Sequence, residues 1–394
     1  MGKRALVLST LYPNAHQPRF GTFVARSIEA LRRETEWEPV VINPIGLPPL
    51  IFGDYKAKAA AAVDDTEFGV QVYRPAFTLL PKIGGRLNPG AIARAVLPLA
   101  RRLHAQQPFD VVDAQFFYPD GPAAMRVAEA LGLPFSIKSR GADIHYWGAR
   151  PYARRAMVEA SEKAAGLLSV CEALAADMAA IGLPRDKVTI HYTGLDRDRF
   201  SPLNHTRLRP RIAEEFGIGL AQEEKLLVTV GALIERKGQE LVIRALADIP
   251  GARLLLVGKG ADEAGLRALA AELGVARRVD FLGLLDHDLL PLVLSAADAM
   301  VLPSASEGLA NAWIEALACG TPIVITDAGG AREVVRDPSA GVIVARTAEA
   351  VRDGIALVLS EPRSPQEVAA NAERFSWAEN GRALGAHFDR IAGA

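Results

Sequence analysis

Residues 299–324 read AMVLPSASEGLANAWIEALACGTPIV, and the order of residue types in them sets the architecture. A short apolar run ends at Pro303, as a buried strand does. A loop carrying Ser306, Glu307 and Gly308 follows. Apolar residues then recur at helical spacing from about Leu309 or Ala310 to Cys319. Gly320 suits the left-handed position after a helix, Pro322 blocks its continuation, and a new apolar run begins at Ile323. Strand, loop, helix, turn and strand in one stretch predict a parallel βαβ unit.

The same alternation runs outward in both directions. RALVLST precedes the helical pattern TFVARSIEALRR, and FDVVDAQ precedes GPAAMRVAEALG. Later KLLVTVGAL leads to GQELVIRALADI, and ARLLLVGKG leads to DEAGLRALAAELG. The expected class is α/β, with parallel sheets covered on both faces by helices. The pattern lapses into charges and prolines in DRDRFSPLNHTRLRP, residues 196–210. That seam predicts two Rossmann-like domains, 1–197 joined by the last helix 375–394, and 198–374. A pair of this kind is expected to bind its ligand in a cleft, at the carboxyl ends of the two sets of strands.

Bulk properties narrow the function. Of 394 residues, half are hydrophobic and 23% are charged, and that length favours two cores over one. A formal net charge of −1 argues against a nucleic-acid-binding protein. Two cysteines without CxxC spacing, Cys171 and Cys319, suit a reducing compartment as small core residues. The start reads as a first strand rather than a signal peptide, and no run is long enough to span a membrane. The expected location is cytoplasmic.

Glu307 and Glu315 stand eight positions apart, one before the helix and one within it. Eight residues of helix rise about 12 Å. The amides of Leu309, Ala310 and Asn311 at the helix start, with its dipole, form an anion site that Gly308 and Ala310 keep sterically open. A ligand with hydroxyl pairs at both ends and a diphosphate between, such as a nucleotide diphosphosugar, matches that spacing. A solvated loop glutamate and a helix-face glutamate match it equally well. In VGALIERKGQEL a strand ends at Gly231, and the following loop brings Arg236 and Lys237 as phosphate partners.

Taken in order, VGALIERKG, LLLVGKGADEAGLRALAAELGV, VDFLGLL, SEGLANAWIEALACGTPIV and DAGGAREVV resemble family 4 of the retaining glycosyltransferases. The first half agrees through YPNAHQPRFGTFVARSIEAL, VVDAQFFYPDGPAAM, RGADI and HYTGLDRDRFSP, and FSWAENGRAL resembles the family's closing helix. The resemblance implies the GT-B fold, with the closing helix crossing back to the first domain. It also implies hexosyl transfer from a nucleotide sugar to a saccharide or lipid-linked acceptor, as in polysaccharide or glycoconjugate synthesis. Glu307 and Glu315 match the family's E-x7-E pair, contacting the transferred sugar and the ribose respectively. Lys237 matches the diphosphate lysine, and Gly258 lies in a segment lining the base pocket. Gly21 matches the glycine loop after the first strand. Asp120, Asp143 and His145 complete the expected acceptor and phosphate-loop set.

Two positions depart from the family. Ala232 stands where arginine is usual, and Arg236 is expected to supply that charge. Arg140 stands where histidine is frequent; it cannot act as a base, and is expected as a fixed cation beside the leaving phosphate or acceptor. No cofactor and no metal are expected: the acid pairs at Asp196–Asp198 and Asp286–Asp288 lie in loops, and the histidines lack ligand spacing. From Phe68 to Phe109 no acidic residue occurs, while Arg74, Lys82, Arg86, Arg94, Arg101 and Arg102 alternate with apolar residues. That region reads as a core helix with a basic outer face, or as a peripheral membrane contact. A nucleotide-sugar hydrolase or epimerase of the same fold, and a non-catalytic nucleotide-sugar-binding subunit, are the alternative functions.

Overall fold

The computed structural model describes residues 2–80, 84–221, 223–286, 288–361 and 363–393. The chain divides into two compact units, Met1–Gly194 with Trp377–Ala394, and Leu195–Ser376. These boundaries lie a few residues from those expected from the sequence.

Among its described residues the first unit contains ten strands: β1 (Lys3–Leu8), β2 (Trp37–Ile42), β3 (Ile45–Leu47), β4 (Asp65–Glu67), β5 (Val70–Tyr73), β6 (Ala76–Thr78), β7 (Val111–Ala114), β8 (Phe135–Lys138), β9 (Gly166–Ser169) and β10 (Val188–Ile190). Eight of them form one sheet in the order β10-β9-β8-β7-β1-β2-β5-β4. Its strands pair in parallel, except that β4 runs antiparallel to β5 at the edge. β7, β8 and β9 are buried along their whole lengths, as helices on both faces of a sheet require.

The last helix, Trp377–Ala392, belongs to this unit and packs on the helix Thr22–Glu34. Ser27 Oγ donates to Asn380 Oδ1 at 2.6 Å, and Trp37 Nε1 donates to Asp389 at 3.1 Å. Phe388 meets Trp37 edge-on, with ring centroids 5.3 Å apart.

The second unit has β11 (Lys225–Val230), β12 (Ala252–Val257), β13 (Val279–Gly283), β14 (Ala299–Leu302), β15 (Ile323–Thr326) and β16 (Gly341–Val344). They form an all-parallel sheet in the order β13-β12-β11-β14-β15-β16. This is the doubly wound order, in which the chain reverses its direction of travel between β11 and β14. Leu227, Leu254, Leu256 and Val301 of the sheet pack with Val242, Leu246, Leu266 and Ile355 of the helices. Each such side chain, fully buried, contributes about 1.5–3 kcal/mol.

The helix after β14 spans Asn311–Ala318, so it starts one or two residues later than its apolar pattern suggests. Ala310 keeps extended geometry as N-cap. Its C-terminus ends as expected. Gly320 is left-handed at φ 81°, and its amide and that of Thr321 donate to Leu317 and Ala316.

The basic stretch is less of a surface than it looks in the sequence. Arg74 is buried and ion-paired with Glu67. In the helix Asn88–Gln106, Ile92 and Val96 are buried while Arg94, Arg101 and Arg102 face outward. Ile92 and Val96 therefore turn into the core, as in the reading of a core helix with a basic face, while Leu87 stays exposed. Lys82 and Ile83 lie outside the described residues. Among the described residues, no helix is long and apolar enough to cross a membrane.

Candidate active site

In a doubly wound sheet the loops at the reversal point diverge and leave a crevice at the strand ends. In the second unit those loops follow β11 and β14, and they carry Lys237 and Glu307. A 3₁₀ turn, Glu235–Lys237, places Lys237 so that its Nζ lies 2.5 Å from Glu307 Oε1. Arg236 donates to the Ser306 carbonyl and stands 3.5 Å from Glu307 Oε2. The side chains of Lys237 and Glu307 are only 14% and 8% exposed, so this pair is largely withdrawn from water. Three of the residues expected to hold the donor thus meet at one point.

Backbone contacts fix the two loops together. Ala305 N–H donates to Arg236 O at 2.7 Å. Arg346, from beyond β16, donates to Pro303 O at 3.2 Å and to Glu235 O at 2.9 Å. Gly330 N–H donates to Gly308 O at 2.7 Å. Gly329, at φ +53°, lies so close to this loop that a Cβ there would stand 2.3 Å from the carbonyl oxygens of Glu307 and Gly308. Gly231 and Gly258 also touch: a Cβ on Gly258 would stand 1.9 Å from Gly231 O. Leu309 and Ala310 are buried, and Asn311 is exposed at the helix start.

Glu315 lies on the same helix, partly buried, and its carboxylate makes no hydrogen bond or ion pair with the described residues. Burial pushes its carboxyl up to about 7. Trp313, between the two glutamates, is fully buried and packs as core.

The reversal point of the first unit lies between β1 and β7, and it too is bridged. Asp120 accepts from the Thr10 N–H and from Thr10 Oγ1, each at 2.8 Å. Asp143 accepts from the backbone N–H groups of Phe117, Arg140, Gly141 and Ile144. Both carboxylates are fully buried, so they staple loops. His145 sits exposed, 2.9 Å from Asp177. Gly21 is the left-handed N-cap of the helix Thr22–Glu34, packed against the Leu11 backbone.

Arg140 belongs to a network that its own motif does not reveal. Its Nε donates to Gln115 O at 3.3 Å and its Nη2 to Gln115 Oε1 at 2.5 Å. Gln115 Nε2 donates to Asp113, which also accepts from Ser136 Oγ. The guanidinium lies over the Phe23 ring, 4.9 Å from its centroid. Desolvation brings its pKa down to about 10. Nearby, buried Lys138 lies 2.7 Å from His191 Nδ1, and His191 Nε2 faces the Asn380 carbonyl at 2.9 Å. The carbonyl places the ring proton on Nε2, so Lys138 donates to Nδ1. Burial lowers the pKa of both groups well below the ordinary values. The one sequence sign of this network is polar residues, Asp113, Ser136 and Lys138, inside strands that are otherwise apolar.

Among the described residues, no group of three or more His, Cys, Asp or Glu is placed to hold a metal ion.

Comparison with known proteins establishes the fold and the family. Solved structures of similar shape include sucrose-phosphate synthase of Thermosynechococcus elongatus, at a TM-score of 0.76 and 20% identity over 99% of both chains. Anabaena HepE, solved with UDP and glucose, aligns at a TM-score of 0.71 and 17% identity, over 99% of this chain and 100% of that one. The fold is GT-B. Residues 21–194 match the model of the glycosyl transferase 4-like domain, and residues 211–375 that of the glycosyl transferases group 1. The chain belongs to this family of glycosyltransferases.

Curated relatives include an uncharacterized glycosyltransferase of Methanocaldococcus jannaschii, 30% identical over 221 residues, 54% of this chain and 56% of that protein. D-inositol 3-phosphate glycosyltransferase of Mycobacterium tuberculosis is 33% identical over 220 residues, 52% of this chain and 44% of that protein. The match thus spans about half the length of these curated relatives.

Proposed function

We propose that the protein transfers a hexosyl group from a nucleotide diphosphosugar to a saccharide or lipid-linked saccharide acceptor, with retention of anomeric configuration. The observation that carries this reading is the meeting of Lys237, Arg236 and Glu307 at the reversal point of the second sheet. Two cations fixed on rigid loops suit a diphosphate whose negative charge grows as the bond to the sugar breaks. They supply the neutralisation that a metal ion gives elsewhere. The start of the helix Asn311–Ala318 adds backbone donors beside them.

In this reading Glu307 accepts hydrogen bonds from the sugar hydroxyls and Glu315 from the ribose. Glu315, lacking a partner of its own, suits a ligand's hydroxyl pair. The acceptor side is assigned to the first unit, where Arg140 offers a cation held in one orientation. Asp120 and Asp143 support its loops and do not abstract a proton. The departing phosphate then takes the acceptor proton.

Incubation with UDP-, GDP- and ADP-sugars, with and without a panel of saccharide acceptors and with EDTA present, tests the reading. Nucleotide release that needs an acceptor and survives EDTA supports it. Release without an acceptor points to a hydrolase, and binding without release to a non-catalytic subunit.

A further inference from the structure

We infer that Glu307 is the internal counter-ion of the donor site's two cations, and that this makes the site favour sugar-bearing nucleotides over the bare nucleoside diphosphate. The inference rests on the donor site proposed above and adds a selectivity to it.

Both oxygens of Glu307 face cations: Oε1 lies 2.5 Å from Lys237 Nζ, and Oε2 lies 3.5 Å from Arg236 Nη1. Arg236 is held there by its bond to the Ser306 carbonyl, one residue before Glu307. The loop itself cannot retreat freely, because Gly329 is packed on the carbonyls of Glu307 and Gly308. The two charges meant for a diphosphate are therefore already shared with a carboxylate of the chain.

An arriving diphosphate must take Lys237 from Glu307. Two anionic groups held against one ammonium repel each other strongly in a site this withdrawn from water, so the carboxylate is better satisfied by other partners. A sugar on the diphosphate supplies them, because its hydroxyls donate to the released carboxylate. A bare diphosphate offers no such donors, and leaves Glu307 largely desolvated with only the more distant Arg236, 3.5 Å from Oε2, beside it. Donor and product thus differ in more than the sugar's own contacts. After transfer, return of Glu307 to Lys237 drives the nucleoside diphosphate out.

The test is titration calorimetry with UDP, GDP and ADP and the matching glucose nucleotides, on the wild type and on E307Q, E307A and K237M. Thermal unfolding confirms that each variant is folded, and E307A repeats the charge removal should E307Q misfold. The expected result is that removing the carboxylate tightens binding of the bare diphosphate at least tenfold. It also shrinks or reverses the preference for the sugar nucleotide. K237M weakens both ligands. Binding that depends on Lys237 but is unchanged or weakened in E307Q and E307A overturns this inference and leaves the donor site standing. Nucleotide binding indifferent to K237M overturns the donor site itself, and the inference with it.

Discussion

Asp120 and Thr10 join the two loops that part at the reversal point of the first sheet. Thr10 follows β1, Asp120 opens the helix after β7, and two bonds of 2.8 Å connect them. Burial raises the Asp120 carboxyl to about 7 from an ordinary 3.8. Between those values the folded chain keeps a proton that the unfolded chain has released. Stability therefore falls as pH rises through that window. D120N removes the Asp120 share of this slope, to which Glu315 also contributes, and D120A loses about 1–3 kcal/mol through the Thr10 donors left unpaired. Urea denaturation at pH 5 and pH 8 reads both effects.

Glu315 shares the raised value, about 7, with burial as its cause. A ribose hydroxyl pair needs the ionised form as acceptor, so nucleotide affinity should climb as pH passes through about 7. E315Q should bind more weakly at pH 8 and lose that dependence. Titration of UDP, GDP or ADP across pH 6–8 gives the comparison. A wild-type affinity flat across that range counts against a ribose contact at Glu315.

Gln115 holds Arg140 through its main-chain and side-chain oxygens. Q115A should leave the guanidinium held by the main-chain oxygen alone, lowering acceptor-dependent turnover about tenfold, the scale of one lost charge-assisted bond. Donor affinity, which belongs to the second unit, should stay constant. A change in donor KM alone would place Arg140 outside the acceptor side.

Gly329 sits where a methyl group would meet two carbonyl oxygens at 2.3 Å. G329A must push the Glu307 loop aside, and its left-handed backbone adds about 1–2 kcal/mol of strain. Donor KM should rise by an order of magnitude or more, with only a modest fall in Tm. An unchanged KM would mean the loop tolerates the shift.

These sites were unequally legible in the sequence. Lys237 and Glu307 stand beside local signals: an apolar run ending, a glycine, a helical period beginning. Topology then brings the two loops together, since βαβ connections have one hand and one reversal point. The network Ser136–Asp113–Gln115–Arg140 joins residues of β7, β8 and the loops after them, so no spacing along the chain encodes it. The polar residues read as acceptor contacts, Asp120 and Asp143, proved fully buried, because loops turning at strand ends leave amides that need a carboxylate. Arg74 looked like surface charge until Glu67, one residue before the acid-free stretch, proved to be its partner.

The most direct test of the donor site is thermal unfolding with a panel of UDP-, GDP- and ADP-sugars, run on the wild type and on K237A. At a hundredfold excess over Kd, a bound ligand adds about 2.7 kcal/mol, a shift of several degrees. The account predicts that one nucleotide class raises the wild-type Tm, and that K237A, folded on its own, loses the rise. An equal rise in K237A, or no rise with any sugar nucleotide, would contradict it.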